Sequence, residues 1–173
     1  MKQNRKTGVF LLMGMTALWL TGCSNADDGA KAVAKATPVP TSASATAQSK
    51  PEVVMYKPLT CDCCTGWAEH LSKEGFSVEV KKYDDMGAIK AKFGVSEKLA
   101  SCHTAIVDGY VIEGHVPAAD VERLLKERPD IVGLTAPGMP MKSPGMQADG
   151  QQPQGYTVLA FDKDGNTTVF HRY

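Results

Sequence analysis

Aromatic residues are scarce: Phe, Tyr and Trp make up 7% of the 173 residues, enough for a modest core. At roughly 100–200 residues per domain, the length allows one globular domain with appendages. Net charge is absent, because 19 Lys and Arg stand against 19 Asp and Glu. That balance excludes the strongly basic field that holds a nucleic acid. From Glu52 onward 13 basic side chains face 17 acidic ones, a mildly acidic domain that suits a small cation better than a phosphate backbone. The prominent apolar run, Val9 to Leu20, has 12 residues, short of the roughly 20 that a spanning helix needs. No phosphate-cradling glycine loop, Ser-His-Asp set, paired-carboxylate glycosidase pattern or internal repeat stands out.

What is present divides into three segments. Lys2, Arg5 and Lys6 precede the apolar run, which closes on Leu20-Thr21-Gly22-Cys23. This resembles a bacterial lipobox and implies a lipoprotein signal peptide over residues 1–22, removed before an acylated Cys23. Ser24, where Asp would retain the protein at the inner membrane, implies the outer membrane. Each buried acyl CH₂ contributes about 0.8 kcal/mol, so several chains on Cys23 would hold the protein firmly, facing the periplasm. Residues 23–51 read as the acylated cysteine and a disordered tether. Ser24 to Lys50 holds eight Ala and no aromatic, Leu or Ile, too little apolar surface to offset its ordering entropy.

Residues 52–173 carry the fold. Glu52-Val53-Val54-Met55-Tyr56 reads as a buried strand, and Trp67, Ala68 and Leu71 lie at helical spacing up to Gly75. Phe76, Val78 and Val80 alternate with polar residues as a second strand. Met86, Ile89, Lys90 and Phe93 share the face of a second helix that ends at Gly94, and Val95 to Ala100 adds a turn. Two apolar runs flank Asp108-Gly109, the signature of a hairpin with a type I′ turn. Pro117 opens a third helix, and Asp162-Lys163-Asp164-Gly165 joins a last hairpin. Strand, helix, strand, helix, strand, strand, helix predicts an α/β, thioredoxin-like sandwich with an additional C-terminal β-hairpin.

Chemistry concentrates in the cysteines. Cys61, Cys63 and Cys64 sit where the first strand meets the first helix, and Cys102 stands beside His103, 38 residues beyond Cys64. In the expected topology both loops reach one sheet edge. A helix N-terminus carries about half a positive charge and stabilises thiolate, the metal-binding form. Cys61 and Cys64 face one point, and Cys63 projects elsewhere, towards a second ion. Sulfur with imidazole selects Cu(I), or zinc. Competing readings are structural disulfides, thiol–disulfide exchange through the C-x-x-C spacing, and a structural zinc site. The extra cysteine inside the motif would scramble exchange.

Three thioethers, Met139, Met141 and Met146, lie in a Gly/Pro-rich loop rather than on an apolar helix face. Soft, uncharged and stable in an oxidising space, they favour copper and read as a lid or entry path. Asp62 is expected to cap the first helix, Trp67 to fill the core and His70 to lie at the surface. His115 stays outside the ligand set, and His171 reads as structural.

Cys61-Asp62-Cys63-Cys64-Thr65-Gly66-Trp67, Ser101-Cys102-His103-Thr104 and Gly138-Met139-Pro140-Met141-Lys142-Ser143-Pro144-Gly145-Met146 resemble the CopG-type periplasmic copper-resistance proteins. That bacterial family was long catalogued as a domain of unknown function. Gly109 to Pro117 matches its hairpin-to-helix segment, and the likeness covers Val53 to Met146, extending to Tyr173. The resemblance implies a thioredoxin-like fold and copper, as one or more ions, bound through Cys61, Cys63, Cys64 and Cys102. His103 is then a neighbouring ligand or orienting group, and the three methionines auxiliary contacts. The implied partners are the membrane, through Cys23, and copper donor or acceptor proteins; zinc remains the alternative metal, and an oxidoreductase the alternative function.

Overall fold

The computed structural model describes residues 49–148 and 150–173. The expected signal peptide, Cys23 and all but the last three residues of the tether lie outside the described residues.

The elements run β1 (Val53–Pro58), α1 (Asp62–Lys73), β2 (Val78–Tyr83), α2 (Met86–Lys92), β3 (Thr104–Val107), β4 (Tyr110–Glu113), α3 (Ala118–Glu127), β5 (Gly133–Thr135), β6 (Thr157–Phe161) and β7 (Thr167–Arg172). The strands form one sheet in the order β2-β1-β3-β4-β5-β6-β7. The β1–β2 and β4–β5 pairs are parallel, and the other pairs are antiparallel. The mixed α/β sandwich and the C-terminal hairpin expected from the sequence are both present.

Alternation along the strands separates two apolar faces. Val53, Met55, Ala105, Val107, Ile112 and Val158 pack against Trp67 and Leu71 of α1 and Val121 and Leu124 of α3. Val111 and Phe161 point the other way, onto Val95 and Leu99. The contact between Tyr56 and Phe93, with ring centroids 5.5 Å apart, brings the end of α2 to that second face. Trp67 is fully buried and donates its indole N–H to the Val116 carbonyl at 2.8 Å, so its polar atom is satisfied inside the core.

Local rules explain most boundaries. Gly75 (φ 86) and Gly94 (φ 72) follow the first two helices in the left-handed region that favours glycine. Asp108 (φ 47) and Gly109 (φ 87) both take positive φ, as a type I′ turn requires. Two expectations need correction. The second strand begins at Val78 rather than Phe76, and Val80 is 44% exposed because β2 is the edge of the sheet. Strand β5 had no counterpart in the sequence reading: its three residues are all buried, and three residues cannot display a period of two.

Register then assembles the functional edge. Tyr56 pairs with Thr104, Thr104 with Glu113, and Glu113 with Thr135. The chain leaving β1, entering β3, leaving β4 and leaving β5 therefore emerges at one edge. Those four segments carry Cys61 to Cys64, Cys102-His103, His115 and the methionine loop.

Gly133 makes the β4–β5 pairing possible, because a Cβ there would lie 1.8 Å from the Val111 carbonyl oxygen. Gly133→Ala is expected to destabilise the domain by about 2–4 kcal/mol through backbone separation. Urea unfolding of the variant beside wild type measures this.

Candidate metal centre

Helix α1 begins immediately after the first cysteine. Cys61 is the N-cap in extended conformation (φ −143, ψ 96) and gives no side-chain cap. Asp62 is already helical, so the expectation that it caps the helix does not hold. The four sulfurs of Cys61, Cys63, Cys64 and Cys102 lie within 4.8 Å of one another. Cys63 does not project elsewhere, as the spacing suggested. The extended backbone at Cys61 swings its side chain out of the helical progression, and the two sulfurs come to 3.5 Å. Cys61 and Cys64 are joined as a disulfide across this first turn, while Cys63 and Cys102 are free thiols. Oxidised, the centre offers two thiols; reduced, it offers four.

The second loop adds imidazoles. Cys102, His103 and His115 bring one ligand atom each to within the same 4.8 Å of one another, so Cys102 belongs to both groups. His115 Nε2 lies 2.9 Å from Cys102 Sγ. Its Nδ1 lies 2.7 Å from the Pro144 carbonyl, which can only accept, so Nδ1 carries the proton and Nε2 presents its lone pair to the sulfur. Burial lowers the His115 pKa, and the Pro144 bond opposes that shift in part. Burial, with smaller contributions from His115 and Lys90, drives the His103 pKa well below its ordinary value. Both rings are neutral at neutral pH, the form that binds metal. Burial also pushes the Cys102 thiol up to about 11, opposed by the neighbouring Ser101 hydroxyl.

His103 is the observation that asks for a ligand. It is fully buried, packed at a tilt against Trp67 with centroids 4.4 Å apart, and neither ring nitrogen has a hydrogen-bond partner among the described residues. Buried polar atoms are nearly always paired. A soft metal ion held by Cys102 and His115 would give a His103 nitrogen its missing partner.

Two supports fix the ligands. The fully buried Glu113 carboxylate accepts from the Ser101 backbone N–H and the Thr104 hydroxyl, both at 2.6 Å, thereby bracketing Cys102 and His103. Lys90 supplies its counter-charge. Opposite, the methionine loop lies backbone-to-backbone on α1: a Cβ on Gly145 would meet the Trp67 nitrogen at 2.5 Å and the Cys63 carbonyl oxygen at 2.6 Å. That contact carries Pro144 to His115. The Gly138 N–H, bonded at 2.9 Å to the Ala100 carbonyl, fastens the loop's other end. Met139 and Met141 are 60% and 70% exposed, and Met146 is half-buried.

Elsewhere, His70 accepts from the Ala118 N–H at 3.1 Å, and His171 bonds the buried Asp120 at 2.8 Å; both are structural. The sequence reading missed two residues. His115 was recoverable by extending the hairpin register, because residues equidistant from Asp108-Gly109 pair, and beyond Thr104–Glu113 the mirror partner of Cys102 is His115. The other is Lys57, whose ammonium bonds the Cys61 carbonyl at 2.8 Å and the Thr65 hydroxyl at 2.6 Å.

The disulfide and the raised Cys102 pKa define a thiol count. Unreduced, metal-free protein lacking Cys23 is expected to take up two alkyl groups, and four after reduction. The Cys102 adduct should form with a midpoint near pH 11, about two units above an ordinary thiol. Mass spectrometry after alkylation across pH checks both.

A family model described as a protein of unknown function, DUF411, matches residues 99–146, which span the Cys102 loop, the hairpin and the methionine loop. No curated protein matches the chain. Two solved structures of copper resistance protein CopG, designated form 1 and form 2, each share 40% sequence identity with it at a TM-score of 0.66. Each alignment covers 72% of this chain and 98% of the CopG chain. Almost the whole of that protein is thus matched here, and together with the Cys/His cluster this supports a copper-related, metal-binding function. The chain belongs to the CopG-type copper-resistance family.

Proposed function

We propose that the protein binds copper as cargo, as Cu(I), and sequesters it or passes it on at the periplasmic face of an outer membrane to which Cys23 anchors it. The observation that carries this is a cluster of four sulfurs that shares Cys102 with His115 and with a buried histidine, His103, whose ring nitrogens have no hydrogen-bond partner among the described residues. Thiols and neutral imidazoles are soft to intermediate donors, the set that selects Cu(I). Cys102 belongs to both ligand groups, which supports more than one ion. Cys61, Cys63, Cys64 and Cys102 are the primary ligands, with His103 and His115 beside them. In this reading the exposed Met139 and Met141 receive copper from a donor protein or present it to an acceptor.

A second reading rests on the Cys61–Cys64 disulfide, with the free Cys63 sulfur 3.5 Å from Cys61. A thiol beside a disulfide is the arrangement for exchange, and it favours an oxidoreductase acting on thiols or on copper.

Titration of reduced protein with Cu(I) against a competing chelator tests the first reading. Replacing all four cysteines by Ser is expected to abolish high-affinity binding, a loss of several orders of magnitude. Equal affinity in both proteins would defeat it. Multiple turnovers of a disulfide substrate, or of Cu(II) with a thiol reductant, would move the assignment to the second.

A further inference from the structure

Lys57 is a buried cation that the metal-binding reading leaves unused. It holds the third inward position of β1, after Val53 and Met55, and is 5% exposed. Lysine is almost never buried to this degree without a charged partner. Here the ammonium bonds only the Cys61 carbonyl and the Thr65 hydroxyl, both uncharged, and it pairs with no carboxylate among the described residues. Lys90, the other cation near the centre, is neutralised by Glu113. The hydrogen bonding at Lys57 does not demand a cation, because the Thr65 hydroxyl also reaches the Cys61 carbonyl, at 3.4 Å. A positive charge is therefore kept out of water directly beneath the cysteine loop, at a cost that the protein alone does not offset.

The missing negative charge can come with the cargo. A Cu(I) ion held by two or more thiolates is an anionic complex. Zn(II) on the same thiolates is one unit less negative. A fixed cation at short range lowers the energy of the first more than of the second, and in a poorly solvated site the difference is on the order of tenfold in affinity.

We propose that Lys57 is the fixed counter-charge of the centre, a residue that favours anionic metal–thiolate complexes and so biases the site towards Cu(I) over Zn(II). The inference rests on the copper-binding reading above.

The test compares wild-type full-length protein with Lys57→Gln and Lys57→Arg, each reduced and titrated with Cu(I) and with Zn(II) against competing chelators. Gln keeps a hydrogen bond to the loop and removes the charge; Arg keeps the charge. The Cu(I)/Zn(II) affinity ratio is expected to fall about tenfold in Lys57→Gln and to persist in Lys57→Arg. The thermal midpoint of metal-free Lys57→Gln should equal or exceed that of wild type, since an unpaired buried charge has been removed. If the Gln form does not fold, Lys57→Met provides the neutral arm. An unchanged ratio in the folded neutral variant overturns the proposal, as does a fall in metal-free stability with no change in ratio. Wild-type protein that binds Cu(I) no better than its four-cysteine-to-serine counterpart sinks the copper-binding reading itself, a separate and recognisable result.

Discussion

The centre depends on one row of backbone pairings. Tyr56, Thr104, Glu113 and Thr135 stand side by side across β1, β3, β4 and β5, and this row decides where four loops leave the sheet. A slip of one residue in any pairing would turn every side chain of that strand to the opposite face. The row is itself tied by side chains, since Thr104 and Glu113 are both neighbours in register and partners in a hydrogen bond. Sheet register and ligand geometry are thus held by the same residues. The Glu113 carboxylate closes the hairpin and also fixes the backbone in front of Cys102.

Around this edge burial keeps Cys102, His103 and His115 neutral. The Cys102 thiol is driven up by burial, and the two histidines are driven down by it. These three groups add little charge of their own beside the ammonium of Lys57. The loop over it is likewise held by shape: where Gly66 meets Gly145, a Cβ on the former would sit 3.0 Å from the latter's Cα. Two glycines facing each other allow the strap to deliver the Pro144 carbonyl to His115 without a side chain between helix and loop.

Much of this was legible in the sequence, for definite physical reasons. Asp108-Gly109 specifies a turn type, and Gly75 and Gly94 stop helices through their backbone freedom, so element order could be read from local chemistry. Cysteine spacing located the cluster because the junction of the first strand and first helix puts Cys61, Cys63 and Cys64 at the sheet edge that the Cys102 loop also reaches. What was hidden depends on three-dimensional register. The short β5 shows no periodicity. The Cys61–Cys64 link and the approach of Cys63 follow from one extended residue before α1. Lys57 lies beyond the strand read from the sequence, Glu52 to Tyr56, and the inward alternation from Val53 and Met55 shows that it is buried. His115 needed the hairpin pairing to be carried two residues past its last rung.

The packing of Trp67 against His103 has an optical consequence. Of the two tryptophans in the chain, Trp67 is the one within residues 52–173, and its indole ring touches an imidazole of the centre at a centroid distance of 4.4 Å. Its near-ultraviolet emission is an intrinsic gauge of what occupies the neighbouring ring, with no dye or label required. The domain carries its own fluorescent indicator, built into the hydrophobic interior rather than attached to its surface.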